Sequence, residues 1–167
     1  MKILICYYSK TGNTELIAKN MYEALKDHEV SIKPIQDVKY DELNNYDIVF
    51  LGSGIYAGGV GKEINKLIKE SSNLPKKFVL FYTHANPDPK FYKKAFNKVR
   101  RELEKREIEI IGEFDCIGEN KDEKVVEILL KTQPSLKEAI LSAKGRPNQM
   151  DFENAKTFAR KIITKLV

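Results

Sequence analysis

The sequence predicts an α/β fold in which a five-stranded parallel β-sheet lies between two layers of α-helices. Short apolar runs alternate five times with amphipathic stretches along the 167 residues, which is typical of a parallel sheet covered by helices on both faces. Right-handed crossovers leave few topologies, and 2-1-3-4-5 is the favoured strand order for five strands. The length corresponds to a single domain covering residues 1–167.

The first half of the chain is expected to form three strands and two helices. An apolar run opens the chain, and after Gly12 the apolar residues recur at helical spacing, so a helix follows the first strand. Pro34 has no backbone N–H and restricts the second strand to an edge or an end. The predicted strands are 2–8, 29–35 and 46–53, and the predicted helices are 13–27 and 62–70.

The second half is expected to form two strands and three helical regions. Gln133 and Pro134 interrupt the middle helical region, because proline removes a backbone donor that a helix needs. In the last helix the apolar residues mark one face, as in a helix that packs on a sheet. The predicted strands are 76–83 and 107–118, and the predicted helical regions are 89–105, 121–144 and 151–166.

The composition is that of a soluble globular protein, with 42% hydrophobic and 32% charged residues. No apolar run approaches the roughly 20 residues that span a bilayer, and the opening MKILICYY is too short for a secretory signal. We therefore expect a cytoplasmic protein with no membrane partner. The net charge is +5, but lysines and acids are interleaved, which favours a solvated surface over a nucleic-acid site.

The two cysteines, Cys6 and Cys116, lie far apart and lack the CxxC spacing of zinc sites and redox dithiols. We therefore expect no metal site and two reduced thiols. Cys6 lies inside the first predicted strand and belongs to the core. Cys116 ends the fifth strand at the ligand end of the sheet, where a packing role is favoured.

Small polar residues follow the first predicted strand in the stretch YYSKTGNT. In the expected topology the winding reverses between strands 1 and 3, and ligands bind there, beyond the carboxyl ends of the strands. The stretch enters a helix N-terminus, whose unpaired N–H groups and dipole attract anions. Hydroxyl and amide side chains and one glycine complete a predicted phosphate-binding site, the cradle, in which Lys10 is the only charged residue. Its residues are Ser9, Lys10, Thr11, Gly12, Asn13 and Thr14.

Other phosphate-binding motifs do not match. A P-loop is excluded because Tyr56 and Glu63 occupy the places of its first glycine and its Ser or Thr. The dinucleotide fingerprint G-x-G-x-x-G is absent after the first strand. A phosphate-accepting receiver domain needs acids after that strand, where this chain has Tyr7 and Tyr8.

The motif S-x-T-G-N-T at residues 9–14 resembles the FMN-phosphate loop of the flavodoxin family. GSGIYAGG is similar to the family's second loop, FVLFYTH leads to the place of the third, and FDCIG…GRPNQMDFENAKTFA resembles the tail of a bacterial and archaeal subgroup. The resemblance covers nearly the whole chain and implies a flavodoxin-like three-layer sandwich that binds FMN. The implied cofactor-binding residues are Ser9, Lys10, Thr11, Gly12, Asn13, Thr14, Ser53, Ile55, Tyr56, Ala57, Gly58, Gly59, Thr83, His84 and Asn86.

The resemblance also implies roles around the flavin ring. Tyr56 is the expected aromatic lid, contributing on the order of 1 kcal/mol by stacking. Gly58 is the expected site of the peptide flip that family members make after reduction, since glycine makes such a flip inexpensive. The third loop is expected to face the pyrimidine end of the ring through Thr83, His84 and Asn86.

Three functions follow as hypotheses. The first is an electron carrier that shuttles electrons between redox partner proteins through the flavin semiquinone and hydroquinone. The second is an FMN-dependent oxidoreductase acting on a quinone, a porphyrin precursor or a nitro compound, and residues 119–144 would then form a substrate wall or a dimer contact. The third is a binding module without cofactor, which the intact cradle disfavours. We expect a monomer or a weak dimer, whose basic charge selects other partners than those of acidic flavodoxins.

Overall fold

The computed structural model describes residues 1–166 and contains one five-stranded parallel sheet in the order β2-β1-β3-β4-β5. This confirms the predicted fold class and strand order. Each observed strand lies within two residues of the predicted bounds. The strands are β1 Lys2–Tyr8, β2 Glu29–Pro34, β3 Ile48–Gly54, β4 Lys77–His84 and β5 Glu109–Ile117.

The helices form one layer on each face of the sheet. α1 and α7 pack side by side on one face, and α2 and α4 pack together on the other. Among residues 1–166, no helix is both long enough and apolar enough to cross a membrane. The helices are α1 Asn13–Leu25, α2 Lys62–Glu70, α3 Pro89–Tyr92, α4 Asn97–Lys105, α5 Glu123–Thr132, α6 Lys137–Ser142 and α7 Gln149–Thr164.

Two apolar clusters hold these layers together, one on each face of the central strands. Successive strand residues point to opposite faces, so the continuous apolar runs of β1, β3 and β4 supply both clusters. Burial of such runs is the main stabilising term, at about 25 cal/mol per Å² of apolar surface. The face under α2 and α4 buries Leu4, Leu51, Leu80, Leu67 and Leu103, and the face under α1 and α7 buries Ile5, Phe50, Phe81, Ile17 and Ala159.

The predicted helix 89–105 is wrong, because the structure divides it into α3 and α4. The turn between them carries short-range bonds, from the Ala95 N–H to the Tyr92 carbonyl and from the Asn97 N–H to the Lys94 carbonyl. This turn brings Tyr92 and Phe96 together against Tyr82 of β4, with ring centroids 5.9 and 5.3 Å away. Burial of two aromatic rings outweighs the loss of one continuous helix.

Two 3₁₀ turns join β2 to β3, at Ile35–Asp37 and Tyr40–Asn45, where the sequence predicted only the last residue of the strand 29–35. They bury Ile35 and Leu43 in the cluster under α2 and α4. A short 3₁₀ turn has too few residues to show a periodic apolar pattern in the sequence. These two turns are stabilised by the burial of one apolar side chain each. The interruption predicted near Gln133 and Pro134 is confirmed, since α5 ends at Thr132 and a 3₁₀ turn at Pro134–Leu136 leads into α6.

Candidate functional site

The loops that leave β1, β3 and β4 meet at the carboxyl edge of the sheet. We call them the first loop (9–12), the second loop (55–61) and the third loop (85–88). β1 and β3 are neighbours in the sheet, although they are not consecutive in sequence. The first and second loops therefore flank the position where the winding of the sheet reverses, which is the usual ligand position in this topology.

The first loop leads into the N-terminus of α1. Gly12 is the N-cap and has φ +89°, a left-handed conformation that glycine adopts without strain. Its N–H donates to Ser9 Oγ at 3.1 Å, and no side chain caps the helix. Among residues 1–166, no acceptor pairs with the N–H groups of Thr11, Asn13 or Thr14. Free N–H donors and the helix dipole make a helix N-terminus a common binding position for anions.

Asn13 adds a buried polar atom without a partner. Its side chain is 6% exposed, and its Nδ2 donates to the Glu119 carbonyl at 2.9 Å. Within the described chain its Oδ1 has no hydrogen-bond donor, although it is buried. An unsatisfied buried acceptor costs about 1–3 kcal/mol. A ligand that carries both an anionic group and hydroxyl groups would pair with the free N–H donors and with this acceptor.

Three predicted hydroxyl side chains are buried and connect the loops. Thr14 Oγ1 lies 2.9 Å from Thr83 Oγ1, so the start of α1 is bonded to β4. Ser53 Oγ donates to the Gly54 carbonyl and accepts from the Gly61 N–H, which fixes the second loop. These groups position the loops, and any contact that they make with a cofactor stays a prediction.

The second loop makes a tight turn between Tyr56 and Gly59. Their backbones exchange two hydrogen bonds of 2.8 and 3.0 Å. The two central residues, Ala57 and Gly58, have φ values of +48° and +79°, as in a type I′ turn. Gly58 suits this conformation, whereas Ala57 adopts it at a cost of roughly 1 kcal/mol. The turn thus places strained, adaptable peptides where the sequence predicted a peptide flip.

Tyr56 bridges the first and second loops. Its hydroxyl accepts a hydrogen bond from the Lys10 N–H at 2.9 Å, and Lys10 Nζ lies 4.8 Å from the centre of its ring. The ring also packs edge-on against Tyr8 at 5.7 Å. Burial raises the pKa of Tyr56 despite the hydrogen bond from Lys10, so its hydroxyl stays neutral. Its predicted role as a flavin lid stays a prediction, and the ring already borders the cradle.

His84 lies on the opposite face of β4 from Thr83, because alternate strand residues point to opposite faces. It is 5% exposed and stacks on Tyr92 with ring centroids 3.7 Å apart. Its Nδ1 lies 2.7 Å from the Asn86 carbonyl oxygen, and its Nε2 lies 3.1 Å from Asp115 Oδ1. The structure therefore connects His84 and Asn86 to each other and to β5, while Thr83 contacts Thr14 at the start of α1.

A cleft of about 310 Å³ opens at the carboxyl end of β4 and β5. Burial raises the pKa of the Cys116 thiol in its wall, so the thiol stays protonated, consistent with the predicted packing role. Asp151 also lines the cleft. Burial opposes ionisation of Asp151, but hydrogen bonds from Arg146 and from the Asn148 N–H hold the pKa of Asp151 below its usual value. The cleft is lined by His84, Pro87, Tyr92, Phe114, Asp115, Cys116, Ile117, Arg146, Asp151 and Asn154.

The structure adds site residues that sequence reasoning did not name. The segment after β5 borders the cradle, because Lys121 Nζ donates to the Thr11 carbonyl at 3.1 Å and Gly118 packs against Asn13. Phe91 of α3 is 43% exposed. A Cβ added at position 58 would lie 3.7 Å from the Phe91 ring, so this ring borders the second loop. A glycine directly after a strand was the available signal for Gly118, whereas Phe91 depends on how α3 folds back.

The chain is similar to known proteins along its whole length. A family model described as a flavodoxin domain matches residues 4–160. An uncharacterised protein of Methanocaldococcus jannaschii is 36% identical over 165 residues, covering 98% of this chain and 99% of that protein. Oxidised flavodoxin 1 from Bacillus cereus has the same fold, with a TM-score of 0.70 at 15% identity over 98% of both chains. A Lactobacillus acidophilus flavoprotein in complex with FMN matches 75% of this chain and 97% of its own, with a TM-score of 0.54 at 22% identity. The chain belongs to the flavodoxin-domain family.

Proposed function

We propose that this protein binds FMN and transfers electrons between redox partner proteins. The observation that carries the proposal is the junction of the first loop with α1, where the described residues leave the N–H groups of Thr11, Asn13 and Thr14 free and the buried acceptor Asn13 Oδ1 without a donor. The family supports it, and so does the FMN complex of the Lactobacillus flavoprotein that shares the fold.

The donor set of the first loop fits a phosphate monoester. The N–H groups of Thr11, Asn13 and Thr14 can donate to phosphate oxygens. Ser9 Oγ accepts from Gly12, so its own hydroxyl hydrogen remains available as a donor. Oriented neutral donors at a helix N-terminus bind phosphate without requiring a cluster of cations. The acceptor Asn13 Oδ1 fits a hydroxyl of the sugar-alcohol chain that adjoins the phosphate in FMN.

Bound FMN would supply the redox chemistry, and the protein would hold, orient and shield it. Tyr56 of the second loop and Phe91 of α3 are aromatic side chains near the turn at Gly58, suited to the apolar faces of a flat ring. Gly58 supplies a peptide that can reorient at low cost. A net charge of +5 would increase the rate of encounter with acidic partner surfaces.

A matched pair of charge substitutions tests the proposal. Asn13→Asp places a carboxylate in the cradle and removes the donor to Glu119. Asn20→Asp makes the same chemical change farther along α1, where the amide bonds only the Leu16 carbonyl. We expect the wild type to quench FMN fluorescence on binding, and Asn13→Asp to weaken binding about thirtyfold, or about 2 kcal/mol, by charge repulsion. Asn20→Asp should bind FMN with an affinity within about threefold of the wild type, because salt screens a charge that lies farther from the cradle.

Two results would contradict this proposal. One is a wild-type protein that binds no FMN at millimolar concentration. The other is an Asn13→Asp variant that binds FMN as tightly as Asn20→Asp. Circular dichroism would show whether each variant keeps the fold, so that a loss of binding is not confused with unfolding.

The cleft beside β5 favours a second candidate, an FMN-dependent oxidoreductase. Its volume of about 310 Å³ suits a small substrate, and His84 and Asp115 offer polar groups in its wall. Steady-state oxidation of NAD(P)H with a quinone, a porphyrin precursor or a nitro compound separates the two functions. Turnover lost in Asp115→Asn with unchanged FMN affinity would support the oxidoreductase. Absence of turnover with every acceptor would favour the carrier.

A further inference from the structure

The segment that contains α5, the 3₁₀ turn at Pro134–Leu136 and α6 does not reach the protein core. We call residues 123–142 the α5–α6 segment. Neither helix has a buried residue, and the 3₁₀ turn is the main neighbour of both helices. The segment nevertheless carries nine apolar residues: Val125, Val126, Ile128, Leu129, Leu130, Leu136, Ala139, Ile140 and Leu141.

The exposed apolar side chains of the described chain are concentrated here. Four of its nine large exposed apolar residues belong to the segment, including Ile128 at 59% and Leu141 at 61% exposure. At 100° per residue, the apolar residues of α5 span about 200° of the helix surface. The 3₁₀ turn that packs against α5 is too short to cover this face. A continuous exposed face of this kind is typical of an interaction surface.

The ends of the segment are fixed to the body of the protein. Before α5, the Glu119 N–H donates to the Arg146 carbonyl at 2.8 Å, and the Glu119 carboxylate accepts from the Gly145 N–H at 2.9 Å. Lys121 Nζ adds its bond to the Thr11 carbonyl. Hydrogen bonds therefore hold the two ends of the segment next to each other and to the first loop. Presentation of a surface from fixed ends lowers the entropic cost of binding.

The chain exposes more surface than is usual for a compact monomer of its mass. The described residues expose 9432 Å². A compact monomer of 19.2 kDa is expected to expose about 8,400 Å². The excess over the whole chain, about 1,000 Å², is comparable with the area of about 800 Å² that each partner buries in an interface of standard size.

Charge indicates which partner fits this surface. The α5–α6 segment contains three acids and three lysines and is neutral, so the net charge of +5 lies on the rest of the chain. In two copies of this protein, the basic remainders of the chains repel each other electrostatically, whereas the neutral segments do not. An acidic partner would be drawn to the basic body instead, because charge directs encounter. A neutral apolar face is therefore best complemented by an identical one.

We propose that the α5–α6 segment is a homodimer interface, on which a second copy of this chain packs its own segment about a two-fold axis. Such an interface is isologous, since the same patch serves both copies and the assembly closes at two subunits. The apolar side chains of both segments become buried, which supplies the neighbours that the fold of one chain lacks. The proposal does not depend on FMN.

Sedimentation velocity of the full chain tests the proposal. We expect a monomer–dimer equilibrium between about 1 µM and about 1 mM, the range in which apolar interfaces of this size associate. Ile128→Lys and Leu141→Lys each add a cation to both copies at the interface and should weaken association at least tenfold, since like charges across an interface are strongly unfavourable. Both side chains are largely exposed in the monomer, so these variants should fold normally.

Tyr40→Lys is the matched control, because Tyr40 is exposed and precedes β3 at the opposite end of the sheet. It should associate like the wild type, and circular dichroism at low concentration should show all variants folded. Three results would overturn the proposal: a wild type that is monomeric up to about 1 mM, a dimer that Ile128→Lys leaves unchanged, or association that continues beyond the dimer.

Discussion

β3 and α5 are both rich in apolar residues, yet β3 is fully buried and α5 has no buried residue. β3 lies between β1 and β4, with α-helices packed on both of its faces, so every side chain meets a neighbour from the same chain. α5 contacts little besides the turn that follows it. An apolar pattern thus predicts that a surface will be buried. The topology decides whether residues of the same chain bury it.

The same contrast separates the cradle from the cleft. The cradle around the first loop is built from loops that converge from β1, β3 and β5, and its geometry depends on contacts between them. The cleft beside β5 contains polar groups that already pair with each other, such as His84 with Asp115 and Arg146 with Asp151. The cradle therefore has free donors for a ligand, whereas these polar groups of the cleft already have partners within the chain.

Replacing isoleucine with alanine in each region should give the largest difference. Ile5→Ala removes a side chain that is 0% exposed in β1 and should cost about 4 kcal/mol, as in other buried truncations. Ile128→Ala in α5 should cost less than about 0.5 kcal/mol in the monomer, because the side chain is mostly hydrated there. Urea unfolding at low protein concentration measures both values. Similar losses would mean that α5 contributes to the core of the monomer.

Asp151→Asn probes the anchor that joins the end of the α5–α6 segment to α7. Asp151 is 3% exposed, bonds Arg146 through two hydrogen bonds and completes a capping box with Asn148. Removing one member of this pair should cost about 3 kcal/mol. Asp27→Asn, at an exposed turn, is the control and should change stability little.

The same pair predicts a pH dependence. The pKa of Asp151 is lower in the folded chain than its ordinary value of 3.8, because the bonds from Arg146 and Asn148 outweigh the effect of burial. The stabilisation is therefore complete above the ordinary pKa and disappears as the pH falls through the lower folded value. Acid titrations of unfolding free energy should show this decrease in the wild type and a smaller one in Asp151→Asn. Parallel curves for the two proteins would contradict it.

Gly118→Ala should have a smaller effect that is specific to the cradle. A Cβ at this position would lie 2.6 Å from Asn13 Nδ2 and would displace the side chain whose Oδ1 lacks a partner. We expect FMN to bind about tenfold more weakly, or about 1.4 kcal/mol. Gly112→Ala contacts Ile162 instead, so it should cost stability without changing FMN affinity. Equal FMN affinities for the two variants would show that Asn13 does not contribute to binding.

Sequence reasoning located most of the fold, because regular elements repeat their apolar residues at regular intervals. The alternation of strands and helices predicted the sheet order, and the polar stretch after β1 predicted the first loop. It failed at the α3–α4 break, where Tyr92 and Phe96 turn inward against Tyr82. It also missed Phe91 and Lys121, because their positions depend on contacts between distant parts of the chain.

The sequence by itself determined the layered α/β architecture and the polar loop at the start of α1, since both follow from local spacing and from loop chemistry. Only the tertiary structure decided that Asn13 Oδ1 is buried without a donor, that His84 packs toward β5, and that the α5–α6 segment remains uncovered. These features depend on which distant residues meet, and the number of neighbours around a side chain is set by the path of the whole chain.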